Sequence, residues 1–86
     1  MNHTRAQTSN VDFLRTELET GLTFASIAEQ ASDEGKINRN RDNARKAYLS
    51  ARRFISCILL SERDSAELHK MLKELEDRLH SLEKVA

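Results

Sequence analysis

Residues 38–60, NRNRDNARKAYLSARRFISCILL, decide how this chain folds. Ala44, Ala47, Tyr48, Ala51, Phe54, Ile55, Ile58 and Leu59 recur at i, i+3 and i+4 without a miss, which predicts a helix over about 40–60 with one apolar stripe. The stripe opens with alanines and closes with bulky side chains, so the start of this helix is expected to approach its neighbour more closely than its end does. Asn38, Asn40 and Asp42 each offer a capping oxygen, and sequence does not choose among them. The opposite side is basic. Between Lys36 and Arg53 lie Lys36, Arg39, Arg41, Arg45, Lys46, Arg52 and Arg53 against a single acid, Asp42, giving residues 36–53 a charge of +6 in a chain of net charge zero. The remaining residues therefore carry −6.

Upstream, Val11, Leu14, Leu18, Leu22 and Ala25 form one helical stripe, and Phe13, Phe24, Ile27 and Ala31 form a second about a third of a turn away. A helix that is apolar on two sides should touch two neighbours. Its expected range is 11–34, with Ser9 or Asn10 as the N-cap and Gly35 as a left-handed C-cap. Gly21 lies at the edge of the first stripe, where it costs about 1 kcal/mol against Ala, so close approach by another helix is the expected reason for it. Residues 1–9 show no apolar period and are expected to be a flexible tail ahead of a single domain spanning 10–86.

Downstream, Ser61 followed three residues later by Asp64 forms a short capping box, which breaks the chain before a third helix over about 62–84. Leu68, Leu72, Leu75, Leu79 and Leu82 alternate spacings of four and three, a heptad seam with Met71 beside it. Three helices of similar length with short connections predict an all-α, up-down-up antiparallel three-helix bundle. Residues 10–35 sum to −5, so acidic helix 1 is expected against basic helix 2, with charges flanking the apolar contact.

Composition narrows the function classes. With 86 residues, no Pro, two Gly and a third of its side chains charged, the chain suits helices and has little room for a deep pocket. Cys57 is alone, so an intramolecular disulfide is excluded and the reducing cytosol is the expected compartment. The longest apolar run, Cys57 to Leu60, is far too short for a membrane span, and the N-terminal residues lack the apolar core of a signal peptide. A cytoplasmic protein without a membrane partner is the expectation. His69 and His80 share one side of helix 3 but stand about 16 Å apart at 1.5 Å per residue, too far to ligate one metal. Surface positions are expected for both, as for His3. Cys57 has no neighbouring base and reads as a small, at least half-buried apolar residue. Paired catalytic carboxylates and phosphate-binding glycine loops are also missing, so the chain reads as a non-enzyme with no cofactor.

In helix 2, Ala44, Tyr48 and Ala51 give A-x3-Y-x2-A, which resembles the second helix of a tetratricopeptide repeat or of the three-helix MIT domain of trafficking proteins. Leu22, Ala25 and Ala28 supply a matching small-residue face on helix 1. The resemblance covers residues 22–54 and departs from a tetratricopeptide repeat in its longer interhelix segment, the lack of a closing proline and the lack of a second copy. It implies an antiparallel hairpin packed through alanines and, on the MIT side, peptide binding in an interhelix groove. No binding residue of either family carries over.

The candidate partner site is the outer face of helix 2. At 100° per residue, Arg39, Arg45, Lys46, Arg52 and Arg53 cluster opposite Ala51, with Leu49 in their midst. Leu60 falls three turns below Leu49, next to Cys57. Arg45, Lys46, Leu49, Arg52, Arg53 and Leu60 are therefore the expected contact residues. A protein partner is the first expectation, as an acidic amphipathic helix or a second copy in a homodimer, with the leucine seam of helix 3 as a competing dimer surface. A nucleic acid on the basic face comes second, because the chain has no net positive charge to support it.

Overall fold

The structure, a computed structural model, describes the backbone of residues 2–85 and the side chains of residues 9–83. Three helices, α1 (Asn2–Gln30), α2 (Glu34–Ile55) and α3 (Glu62–Val85), pack pairwise on one another, the α1–α2 contact being the most extensive. The architecture is the three-helix bundle expected from the periodicity, with no strand among the described residues.

The core runs down the middle of all three helices. Leu14, Leu18, Ala25 and Ala28 of α1 meet Ala44, Ala47, Tyr48, Ala51 and Ile55 of α2, and Leu68, Leu75, Leu79 and Leu82 of α3 close the third side. Leu72 and Met71 flank that seam half-buried, so the leucines of α3 are used within the monomer. Gly21 is buried where the helices come closest. A Cβ placed there would stand 2.6 Å from Leu75 Cδ2 and 3.1 Å from the Ala47 Cβ, so its missing side chain is what lets α2 and α3 pack over α1.

Helix boundaries differ from the sequence expectation in three places. First, α1 begins at Asn2, so the expected start near Val11 is replaced by continuous helix through residues 2–9; Met1 lies outside the described residues. Second, α1 ends at Gln30 and the turn to α2 is only three residues, Ala31 to Asp33. Asp33 is the cap: it is extended (φ −86°, ψ 124°), and its carboxylate accepts the Lys36 N–H at 2.8 Å. Gly35 consequently sits in the first turn of α2 with no positive φ, and the expected left-handed C-cap is not formed. The later cap candidates lie inside the helix, where Asn40 turns its amide back to the Lys36 carbonyl at 2.8 Å. Third, α2 stops at Ile55, five residues short of the expected end. The Ser56 hydroxyl (2.8 Å) and the Cys57 thiol (3.3 Å) both donate to the Arg53 carbonyl, and the Cys57 N–H turns to the Phe54 carbonyl at 2.9 Å. These bonds satisfy the last carbonyls and release the chain.

That early stop reverses the register of the apolar residues beyond it. Ile58 and Leu60 pack half-buried against the core, while Leu59, expected in the stripe, is 79% exposed. Cys57, expected to be at least half-buried, is exposed for the same reason. The break before α3 falls where the capping box placed it: the Ser61 hydroxyl accepts the Asp64 N–H at 3.1 Å, and its carbonyl accepts the Ser65 N–H at 2.8 Å.

Candidate functional site

Among the described residues, ion pairs between helices all involve α3. Arg15 of α1 reaches Glu67 at 2.5 Å and Asp64 at 3.9 Å, Arg78 reaches back to Glu29 of α1 at 4.0 Å, and Arg45 of α2 pairs with Glu83. The Arg15 guanidinium is held above its ordinary pKa by its hydrogen bond to Glu67, with Asp64 and Asp12 adding to the effect against partial desolvation. Tyr48 adds a polar link between α2 and α3, its hydroxyl donating to Glu76 Oε2 at 2.5 Å. No ion pair joins α1 to α2 among the described residues. The expected flanking of the α1–α2 contact by opposite charges is therefore absent among the described residues: that contact is made through Gly21 and the alanines, while Asp12 pairs with Arg15 of its own helix and Glu29 with Arg78 of α3.

The consequence is a basic helix left largely uncompensated. Of the seven cations on α2, only Arg45 has an ion-pair partner among the described residues. Lys46, Arg52 and Arg53 are exposed, as is Arg39 one turn and more upstream.

Leu49, 51% exposed, forms a ridge between two grooves. On the α3 side, Arg45, Tyr48, Arg52, Leu79, His80 and Glu83 enclose about 280 Å³; Arg45 there is paired with Glu83 and Tyr48 donates to Glu76, while Arg52 has no ion-pair partner among the described residues. On the α1 side, Phe13, Lys46, Ser50, Arg53, Phe54 and Cys57 join Leu49 around a more open groove of about 560 Å³. Its floor is aromatic: Phe13 meets Phe54 edge-to-face, ring centroids 5.1 Å apart at 70°, and Phe13 stays 51% exposed. Its rim is cationic through Lys46 and Arg53.

The six expected contact residues thus divide. Lys46, Leu49 and Arg53 line the α1–α2 groove, Arg45 and Arg52 line the α2–α3 groove together with Leu49, and Leu60 lines neither, being turned to the core by the early end of α2. Phe13, Phe54 and Cys57 complete the groove and escaped the sequence reading as site residues. The second apolar stripe of helix 1, headed by Phe13, carried the signal for Phe13 alone, the one member of that stripe that stays exposed.

A third cleft of about 440 Å³ lies at the opposite end, where Ala28, Ala31, Ile37 and Leu82 sit under the carboxylates of Glu29 and Glu34. His69 and His80 are exposed at separate positions on α3, and no group of three His, Cys, Asp or Glu side chains converges on a metal-sized site among the described residues. No helix of the described chain is long and apolar enough to cross a membrane.

No protein-family model matches the chain, and no curated protein or solved structure is similar enough to register as a match. Within the residues that resemble a tetratricopeptide or MIT hairpin, the structure shows an antiparallel pair packed through buried Ala25, Ala28, Ala44 and Ala51, with a turn shorter than the sequence suggested.

Proposed function

We propose that this chain is a small non-catalytic protein-interaction module whose docking face is the groove between α1 and α2. One observation carries the reading: an open aromatic and aliphatic floor, Phe13, Leu49 and Phe54, lies between two cations, Lys46 and Arg53, that no carboxylate of the chain answers among the described residues. Exposed large apolar side chains that adjoin one another beside uncompensated charge are the composition of a contact patch, with an anchor at the centre and a polar rim. The bundle supplies a backing for it, because α1 and α2 pack closely through Gly21 and Ala47, about two turns along α1 from Phe13.

The measurement that decides is a comparison of the native chain with Leu49→Glu, both checked for helicity by circular dichroism, in light scattering across concentrations and in affinity capture with mass spectrometry. The expected result is a defined association, with a second copy or an identified protein, that Leu49→Glu removes while the fold persists. A monodisperse monomer that captures nothing, and is indifferent to the substitution, would sink the reading.

A second reading rests on the same unpaired cations: Arg39, Lys46, Arg52 and Arg53 along one helix could hold phosphates. It leaves the apolar floor without a role, and the chain's net charge is zero. Salt-sensitive retention on DNA or RNA that is lost in Lys46→Glu with Arg53→Glu would favour it.

A further inference from the structure

We propose that the occupant of the α1–α2 groove is an acidic amphipathic helix that seats one large apolar side chain between Phe13 and Leu49 and carries a carboxylate on either side of it, seven residues apart. This rests on the groove being a protein-docking face and adds the chemistry of what docks.

The spacing follows from α2 itself. Lys46 and Arg53 are seven residues apart, about 10.5 Å along the helix, with Leu49 between them. A helix lying alongside α2 has the same rise per residue. Two carboxylates seven apart on one of its stripes therefore meet Lys46 and Arg53 together, and the residue three or four beyond the first lies over Leu49. The floor suits such an anchor. Phe13, exposed beside Phe54 in the groove lining, offers an apolar surface for a leucine, methionine or phenylalanine side chain. The groove, about 560 Å³ and open to solvent, has room for such a side chain.

Charge selects the sign of the partner. Arg15, Arg45, Arg78 and Lys73 all reach carboxylates of this chain, whereas Lys46 and Arg53 reach none among the described residues. Lys36, Arg39, Arg41 and Arg52 of α2 are likewise unpaired among the described residues, but Lys46 and Arg53 are the cations that flank the apolar floor, and an acidic helix seated there gives these two carboxylate partners. A polyanion would satisfy the cations but leave Phe13 and Leu49 in water. An extended peptide would find no open strand edge to pair with, since the described chain has no strand.

The test uses the full chain and an Ala-based helical peptide of about 20 residues, with two Glu seven apart and Leu and Phe between them, against the same peptide with Lys in place of both Glu. Affinity is read by fluorescence anisotropy of labelled peptide. Occupancy is read independently by the rate at which iodoacetamide alkylates Cys57, the sole and exposed thiol in the groove lining. The expected result is salt-sensitive binding of the Glu peptide, at least about tenfold tighter than the Lys peptide, with slowed alkylation. Lys46→Glu with Arg53→Glu, both at exposed positions, should reverse the preference. Equal binding of the two peptides, or no protection of Cys57 by either, overturns the proposal. So does retention of a single-stranded oligonucleotide, in place of the peptide, that the same double variant abolishes. Self-association lost on Leu49→Glu, without peptide binding, overturns the acidic helix in favour of a second copy and leaves the docking face standing. Indifference to Leu49→Glu in every assay removes both.

Discussion

A methyl group at Gly21 would have to fit 2.6 Å from Leu75 Cδ2 and 3.1 Å from the Ala47 Cβ, two atoms that are themselves buried. Gly35 is the contrasting case: a Cβ there meets only the far end of the Arg39 side chain at 3.2 Å and the Asp33 carboxylate at 3.3 Å, on ordinary helical backbone. Gly21→Val should therefore cost about 2–3 kcal/mol through overpacking, whereas Gly35→Ala should be neutral or stabilise by about 0.5 kcal/mol through reduced chain entropy, both read from urea midpoints. The Tyr48–Glu76 hydrogen bond makes a second prediction at this scale. That bond, helped by Lys73 against some desolvation, holds the Glu76 carboxyl below its ordinary 4.5, and the same bond with desolvation holds the Tyr48 phenol above its ordinary 10.0. Because the folded state favours the carboxylate, Glu76's contribution is complete above 4.5 and fades as pH falls through the lower folded value. Because the folded state favours the neutral phenol, Tyr48's contribution is complete below 10.0 and fades as pH rises through the higher folded value. Denaturant midpoints against pH should show both losses in the native chain, and Tyr48→Phe should abolish the alkaline loss and weaken the acid one, Lys73 keeping its part of the Glu76 effect.

Element boundaries were legible where a side chain competes for a backbone donor within three residues. Ser61 at the start of α3 is such a case, and the heptad leucines behind it left one packing solution. At the start of α2 the sequence offered Asn38, Asn40 and Asp42 as caps, and the residue that caps the helix, Asp33, was not among them. Asp33 takes the role because α1 ends as early as Gln30, a tertiary fact that no local pattern carries. The end of α2 was illegible for a different reason: the apolar stripe continues through Leu59, yet Ser56 and Cys57 capture the Arg53 carbonyl and turn the chain. The stripe recorded which residues are apolar and could not record the change of period behind Ile55. Leu59 and Leu60 exchange roles as a result, and this is testable. Leu60→Ser should cost about 1–3 kcal/mol, Leu59→Ser should stay within about 0.5 kcal/mol of the native chain, and helix continuation through residue 60 would give the reverse order in thermal or urea unfolding.

At the scale of the whole molecule the bundle is a rod, 49 × 18 × 17 Å with a radius of gyration of 14.2 Å, against about 12 Å for a compact chain of this length. A rod of three helices has long interhelix grooves and a narrow core, so side chains such as Phe13 and Leu49 stay half in water for want of a fourth element to cover them. The basic face of the candidate site was legible in the sequence, since Lys46, Leu49 and Arg53 all sit on the side opposite the core stripe. Its apolar half was not, because Phe13 belongs to another helix and meets Phe54 only in the packed bundle. One further property follows from how α2 is tied to α3. The chain has a single tyrosine and no tryptophan, so its tyrosine emission band, excited where phenylalanine does not absorb, comes from Tyr48 alone. A phenol that donates to a carboxylate passes its proton across in the excited state and emits weakly. The native protein should thus be optically dark and brighten when α3 leaves α2, with Glu76→Gln bright while still folded, so that one emission band reports the integrity of the bundle without any added label.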